Sequence, residues 1–146
     1  MGYTWDFAIL SKYSHLFWIG IGWTLAYTVG TVLLGTLIGL AVAVLRLKRW
    51  RLVDWPLMAY IEAFRCTPLL VQIIWFYYAL PVVIGINIKP HVAATMVLSL
   101  YGGAFYAEVF RGAIQSIERG QWEAGRALGL RNGQILRLII LPQAWK

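Results

Sequence analysis

Charge is what this sequence has least of. Only 13% of its 146 residues are Asp, Glu, Lys or Arg, against about a quarter in soluble globular chains. Residues 17–45 carry no charge at all, nor do residues 66–88 or 92–107. These runs of 29, 23 and 16 residues argue against a soluble domain. Cysteine is nearly absent. The single Cys66 excludes an intrachain disulfide and says nothing about redox compartment. Histidine is limited to His15 and His91, far apart at the edges of apolar runs. No His/Cys/Asp/Glu spacing suits a metal site, and no glycine-rich phosphate loop follows a strand. No catalytic residues are expected, and an intramembrane enzyme is a poor reading.

What is present is apolar. Hydrophobic residues make up 60% of the chain, and its mean hydropathy is +0.67. A membrane-crossing helix needs roughly 20 apolar residues. The runs therefore predict an all-α polytopic membrane protein with spans at about 17–45, 57–84 and 92–111. The third run reaches that length only by taking in Glu108 to Phe110. A cleaved signal peptide fits the first run poorly. Residues 1–15 have no basic start, and 29 residues far exceed a signal core of about 7–15.

The excess of Lys and Arg, 13 against 6 acidic residues, is unevenly placed. One lies before the first run, four at 46–51, one at 81–91 and six at 111–146; Arg65 completes the set. This low–high–low–high alternation is what the positive-inside rule expects for an N-terminus outside and residues 112–142 in the cytoplasm. A nucleic-acid partner does not explain it.

Within the spans, small residues recur every four positions. Thr31, Gly35, Gly39 and Ala43 share one helix face, and Thr95, Ser99, Gly103 and Ala107 share another. Such ladders let a second backbone come close. The first span, about 44 Å if wholly helical, must tilt or extend into the interface. In the second, Cys66-Thr67-Pro68 predicts a kink, with Thr67 capping a helix that restarts at Pro68. Trp75 to Tyr78 would form an aromatic belt near the outer end. Glu62 and Arg65 stand three apart and are expected to pair, as are Glu108 and Arg111. Polarity in apolar surroundings marks Thr67, Gln72 and Glu108 as expected contacts of a substrate pathway.

Residues 123–142 read as a short helix, a break at Gly129 and a second helix running apolar to Pro142. Their basic residues are Arg126, Arg131 and Arg137. A DNA-binding helix-turn-helix shares the Gly125, Gly129 and Ile135 spacing. Its recognition helix, however, would be Ile135-Leu-Arg-Leu-Ile-Ile-Leu141, too apolar for a groove.

Glu123-Ala124-Gly125, then Gly129, then Ile139, Leu141 and Pro142 resemble the EAA loop of bacterial ABC importer permeases. Every fixed position matches except the third, where Gly125 replaces alanine. Phe64-Arg-Cys66-Thr-Pro-Leu-Leu-Val-Gln72 is similar to a segment of the polar amino acid branch that usually has glycine where Cys66 stands. Residues 103–115 and 120–124 resemble the same branch. The resemblance covers about 20–144. At Arg131 a Ser/Thr cap is common, and Asn132 is expected to cap instead.

The resemblance implies the N-terminal part of a type I importer permease in a bacterial inner membrane, with no cofactor of its own. Glu123, Ala124, Gly125, Gly129, Ile139, Leu141 and Pro142 would form the coupling loop that docks on an ATP-binding cassette subunit. A second permease subunit, a copy or a homologue, and an external amino-acid-binding protein would complete the assembly. Family members continue past this loop into about two further spans, whereas this sequence stops at Lys146, so C-terminal spans are expected to be missing. The alternative is a small structural or regulatory membrane protein.

Overall fold

The computed structural model describes residues 7–47 and 50–144. Lys48 and Arg49 of the basic 46–51 stretch, like residues 1–6, Trp145 and Lys146, lie outside them. All regular structure among the described residues is helical. A short helix α1 (Ala8–Lys12) leads into α2 (Ser14–Leu47), and α3 (Arg51–Cys66) follows. Helix α4 (Leu69–Ile74) runs through a π turn (Trp75–Ala79) into α5 (Leu80–Ile84). Helix α6 (Pro90–Ser116) is the second long one. Beyond it lie α7 (Arg119–Ala127), α8 (Asn132–Ile135), a second π turn (Leu136–Ile140) and α9 (Leu141–Ala144).

Helices α2 and α6 are long and apolar enough to cross a membrane, and they contain the expected spans 17–45 and 92–111. At 34 residues α2 is about 51 Å long. Two of its hydroxyls are satisfied within the helix. Thr24 donates to the Gly20 carbonyl at 2.9 Å and Thr31 to Tyr27 at 2.8 Å. A buried or lipid-facing hydroxyl without a partner would be costly.

The two small-residue ladders meet each other. A Cβ at Gly35 would lie 3.3 Å from the Ser99 carbonyl oxygen and 3.4 Å from the Gly103 nitrogen. At Gly39 it would lie 2.6 Å from the Tyr106 Cβ and 3.0 Å from the Ala107 nitrogen. Backbone therefore packs on backbone across the α2/α6 seam. Ala43, Ser99, Gly103 and Ala107 are all buried there.

Helix α3 is fastened to this pair. Val42, Ile61 and Ala107 form a buried cluster, with Ile38, Leu57 and Tyr60 against it. The Tyr60 hydroxyl donates to the Leu100 carbonyl at 2.5 Å, in space that Gly103 leaves open.

Within the expected span 57–84 the kink is a sharp break: α3 and the Leu69–Ile84 stretch meet at 111°, the geometry of a broken span or of a re-entrant loop. Thr67 is extended at φ −107°, ψ 140°, as the clash with a following proline ring demands. Pro68 is also extended and is itself the N-cap, not the first helical residue. Thr67 does not cap the following helix. Its hydroxyl donates backwards to the Ala63 carbonyl at 2.7 Å, closing the end of α3.

Both π turns stand immediately before a proline-containing turn. A proline ring at Pro81 or Pro142 would strike the carbonyl four residues earlier in a regular helix. Widening by one residue removes the conflict. Leu80 donates to Trp75 and Leu141 to Leu136, each five residues back. The apolar helix expected through 135–142 is thus present but locally widened.

The seam is open to a direct test. Gly39→Val places branched carbons into the α6 backbone and should destabilise the fold by about 1–3 kcal/mol or more. Gly30→Val meets nothing within 4 Å and should have little effect. Thermal unfolding in detergent compares the two.

Candidate functional site

The loop that follows α6 is a folded unit. Helix α7 ends on Leu128, and Gly129 takes φ +75°, a conformation glycine adopts without strain. The Gly129 amide donates to the Arg126 carbonyl at 2.9 Å and the Leu130 amide to Gly125 at 3.1 Å. Together these make a Schellman closure, which satisfies carbonyls that the helix end leaves open. Asn132 is inside α8 and does not cap it, contrary to expectation. Arg131 holds the N-cap position, and Gln134 reaches back to accept from its amide at 2.9 Å.

The motif residues divide by environment. Glu123, Ala124, Gly129 and Pro142 are exposed, Ile139 and Leu141 are half-buried, and Gly125 is buried. A Cβ at Gly125 would fall 2.8 Å from Ile135 Cγ1. Glycine in place of alanine therefore has a physical reason here: Ile135, wholly buried, occupies that volume. Ile114, Ile135 and Ile140 form the core of the unit, with Leu47, Ile117, Trp122 and Leu130 around it. The loop is thereby bolted to the ends of α2 and α6. Leu128, four residues after Ala124 and one turn along α7 from it, is a large apolar side chain left 76% exposed.

A cavity of about 1070 Å³ opens between this unit and the span ends, lined in part by Arg46, Arg111, Arg119, Glu123 and Arg126. Above it runs an ion-pair chain. Arg46 Nε contacts Asp54 Oδ1 at 2.8 Å, and Arg46 Nη1 contacts Glu108 Oε1 at 2.6 Å. Arg111 Nη2 contacts Glu108 Oε2 at 2.6 Å and its Nη1 donates to Gln115 at 2.9 Å. The expected Glu108–Arg111 pair is present, but the centre of the chain is Arg46, whose side chain is only 10% exposed. It ties α2, α3 and α6 together. Sequence reading missed Arg46 and Asp54 because 62 residues separate Arg46 from Glu108 and helical spacing cannot say which helices meet.

The three expected pathway residues do not gather in one place. Gln72 and Thr67 do meet: the Gln72 amide donates to Thr67 Oγ1 at 2.6 Å, to the Thr67 carbonyl at 3.1 Å and to the Phe64 carbonyl at 2.9 Å. Glu108 is instead held by Arg46 and Arg111. The expected Glu62–Arg65 pair is absent. Glu62 accepts from the Cys66 thiol at 3.5 Å, and the Arg65 guanidinium lies over the Phe105 ring, 5.5 Å from its centroid. The face of an aromatic ring attracts a cation, and α6 brings one within reach.

Residues 35–146 match the model of the family described as binding-protein-dependent transport system inner membrane component. The chain belongs to this family. It is 42% identical over 125 residues to the probable amino-acid ABC transporter permease YckA of Bacillus subtilis, covering 86% of this chain and 55% of that protein. It is 40% identical over 134 residues to the glutamate/aspartate import permease GltK of Escherichia coli, covering 87% of this chain and 60% of GltK. The chain thus spans rather more than half the length of these relatives. Among solved structures, an amino acid ABC transporter crystallised with histidines is similar at TM-score 0.86 and 36% identity, over 98% of this chain and 66% of that one. The MetNI methionine transporter in an inward-facing form is similar at TM-score 0.66 and 31% identity, over 83% of this chain and 59% of that one. The all-α arrangement is therefore that of a type I importer permease.

The ion-pair chain and the glycine turn make separable predictions. Arg46→Ala leaves Asp54 without its partner and cuts the link of α2 and α3 to α6, while Glu108 keeps Arg111; it should cost about 1–3 kcal/mol. Arg111→Ala, which removes only a pair within α6, should cost clearly less. Unfolding midpoints in detergent report the difference. Gly129→Val forces a branched residue to positive φ and should loosen the loop by about 1–3 kcal/mol, seen as faster amide exchange at Leu130 and Ile135 while α2 keeps its protection.

Proposed function

We propose that this chain is the membrane-spanning part of an ATP-driven importer for a polar amino acid. It lies in a bacterial inner membrane with its N-terminus outside and the 112–142 loop in the cytoplasm. A separate ATP-binding cassette subunit hydrolyses ATP. A second permease subunit completes the pathway, and an external binding protein delivers the amino acid. The relatives' names, the charge alternation and the 0.86 structural similarity support this reading.

One observation carries it furthest. The unit built on α7 leaves Leu128, Ala124 and Glu123 exposed, Glu123 at the edge of the arginine-lined cavity, while its buried face is packed on the span ends. Exposed apolar area on a rigid element is suited to a protein partner. The mechanism follows from rigidity. When the ATPase moves, α7 is displaced, and the Ile114–Ile135–Ile140 core transmits the displacement to α6 and α2. Because α2 and α6 are locked along the glycine seam, they move as one body, and access alternates between the two sides. Glu123, Ala124 and Gly129 act at the docking face; Gly125, Ile139 and Leu141 hold the unit together; Pro142 sets the π turn behind it.

Leu128→Glu puts a charge into the docking face without touching the buried core. The variant should fold and insert normally but lose co-purification with the ATPase subunit and at least about tenfold of coupled uptake. Wild-type association and uptake in this variant would refute the docking role.

A further inference from the structure

Two charged residues lie beside the helix break, and neither has an ion-pair partner among the described residues. Glu62 and Arg65 stand one turn apart at the end of α3, both exposed. The level at which they sit follows from α6. Phe105, under the Arg65 guanidinium, is 15 residues from Pro90 and 11 from Ser116, about 22 Å and 16 Å along the helix. Within the expected span 92–111 Phe105 is about 20 Å from one end and 9 Å from the other, one turn from Glu108, so Arg65 sits inside the spanning layer toward its Glu108 end. Charges at that depth are costly against lipid, so they face protein or a water-filled path. Broken helices are where membrane transporters expose backbone polar groups to a substrate.

A further group at the same break is incomplete. Gln72 is only 7% exposed, and its amide nitrogen is committed to Phe64 and Thr67, which fixes its orientation. Its Oε1 is buried and has no hydrogen-bond partner among the described residues. A buried acceptor left open in this way calls for a donor.

We propose that Glu62 and Arg65 bind the zwitterionic head of an α-amino acid at the α3/α4 break. This rests on the importer reading above and deepens it. The Arg65 guanidinium takes the α-carboxylate with two parallel hydrogen bonds. The Glu62 carboxylate takes the α-ammonium, in competition with the Cys66 thiol that it now accepts from. Gln72 Oε1 accepts a remaining donor of the ligand. Specificity for the side chain is then left to other parts of the pathway, while this pair selects for a free amine and a free acid. Failure of Glu62 and Arg65 to pair with each other is what keeps both available.

The single cysteine gives a test that needs no substitution. Cys66 is exposed and adjoins Arg65, so the complete importer, reconstituted with its ATPase and binding protein, can be labelled there with N-ethylmaleimide and followed on this chain by mass. Uptake of labelled amino acids is measured first; if none is transported, the importer reading fails independently of this site. With a transported amino acid identified, its presence at saturation should slow Cys66 labelling at least about threefold, whereas its amide and its N-acetyl derivative should not. Glu62→Gln should raise the uptake KM by about tenfold or more and abolish discrimination against the N-acetyl derivative as a competitor; Arg65→Gln should do the same for the amide. Unchanged labelling during active uptake, or variants that keep both KM and the rejection of these analogues, would overturn the proposal. Where a variant does not assemble, protection of the wild-type cysteine decides alone. A pairing of Glu62 and Arg65 with residues of another subunit would appear as slow labelling that no amino acid alters, and would likewise count against it.

Discussion

The contact on which this structure depends is the backbone-to-backbone approach of α2 and α6. Between membrane helices there is little hydrophobic drive to associate, because lipid is as apolar as leucine. Close van der Waals contact must supply the attraction. Glycine at 35, 39 and 103 permits it, and a single methyl at Gly39 would overlap the Tyr106 Cβ. Once the two helices are joined, the rest acquires a reference frame. Tyr60 has a carbonyl to bond on α6, and Ile61 has a cluster to enter. Arg46, at the end of α2, is brought level with Glu108 near the end of α6.

Around that seam the chain separates packing from exposure with some economy. In the loop after α6, Ile114, Ile135 and Ile140 make a small core, and the Schellman turn at Gly129 sets the angle between α7 and α8. What remains outside is a short face that carries Ala124 and Leu128. The ion-pair chain through Arg46 lies between this unit and the spans, with the arginine-rich cavity beside it. A displacement of the loop is therefore met by stiff elements on every side that it touches.

The break at Thr67-Pro68 serves a different end. Elsewhere, backbone groups are consumed by helices. Here a carbonyl of Phe64 and one of Thr67 are turned toward Gln72. The energetic cost of such a break in an apolar layer is offset by side chains that take up the freed groups. Thr67 and Gln72 do so, leaving a polar junction beside Glu62 and Arg65.

Much of this was legible in the amino-acid order alone. The charge-free runs 17–45 and 92–107 mark the two helices long and apolar enough to cross a membrane, because burial of charge in lipid is costly regardless of partner. Residues three or four apart on one helix are neighbours by geometry, so the ladders and the Glu108–Arg111 pair could be read directly. Gly129 marked its own turn, since few other residues tolerate positive φ. Which ladder meets which was beyond reach, for helical periodicity describes a face and not what covers it. The same limit hid Arg46 from Glu108 and gave Arg65 a partner on its own helix when Phe105 on another was nearer to hand. The 111° turn at Pro68 belongs to this second class: local chemistry dictated that the helix stop, but only packing against α6 decided where the chain went next.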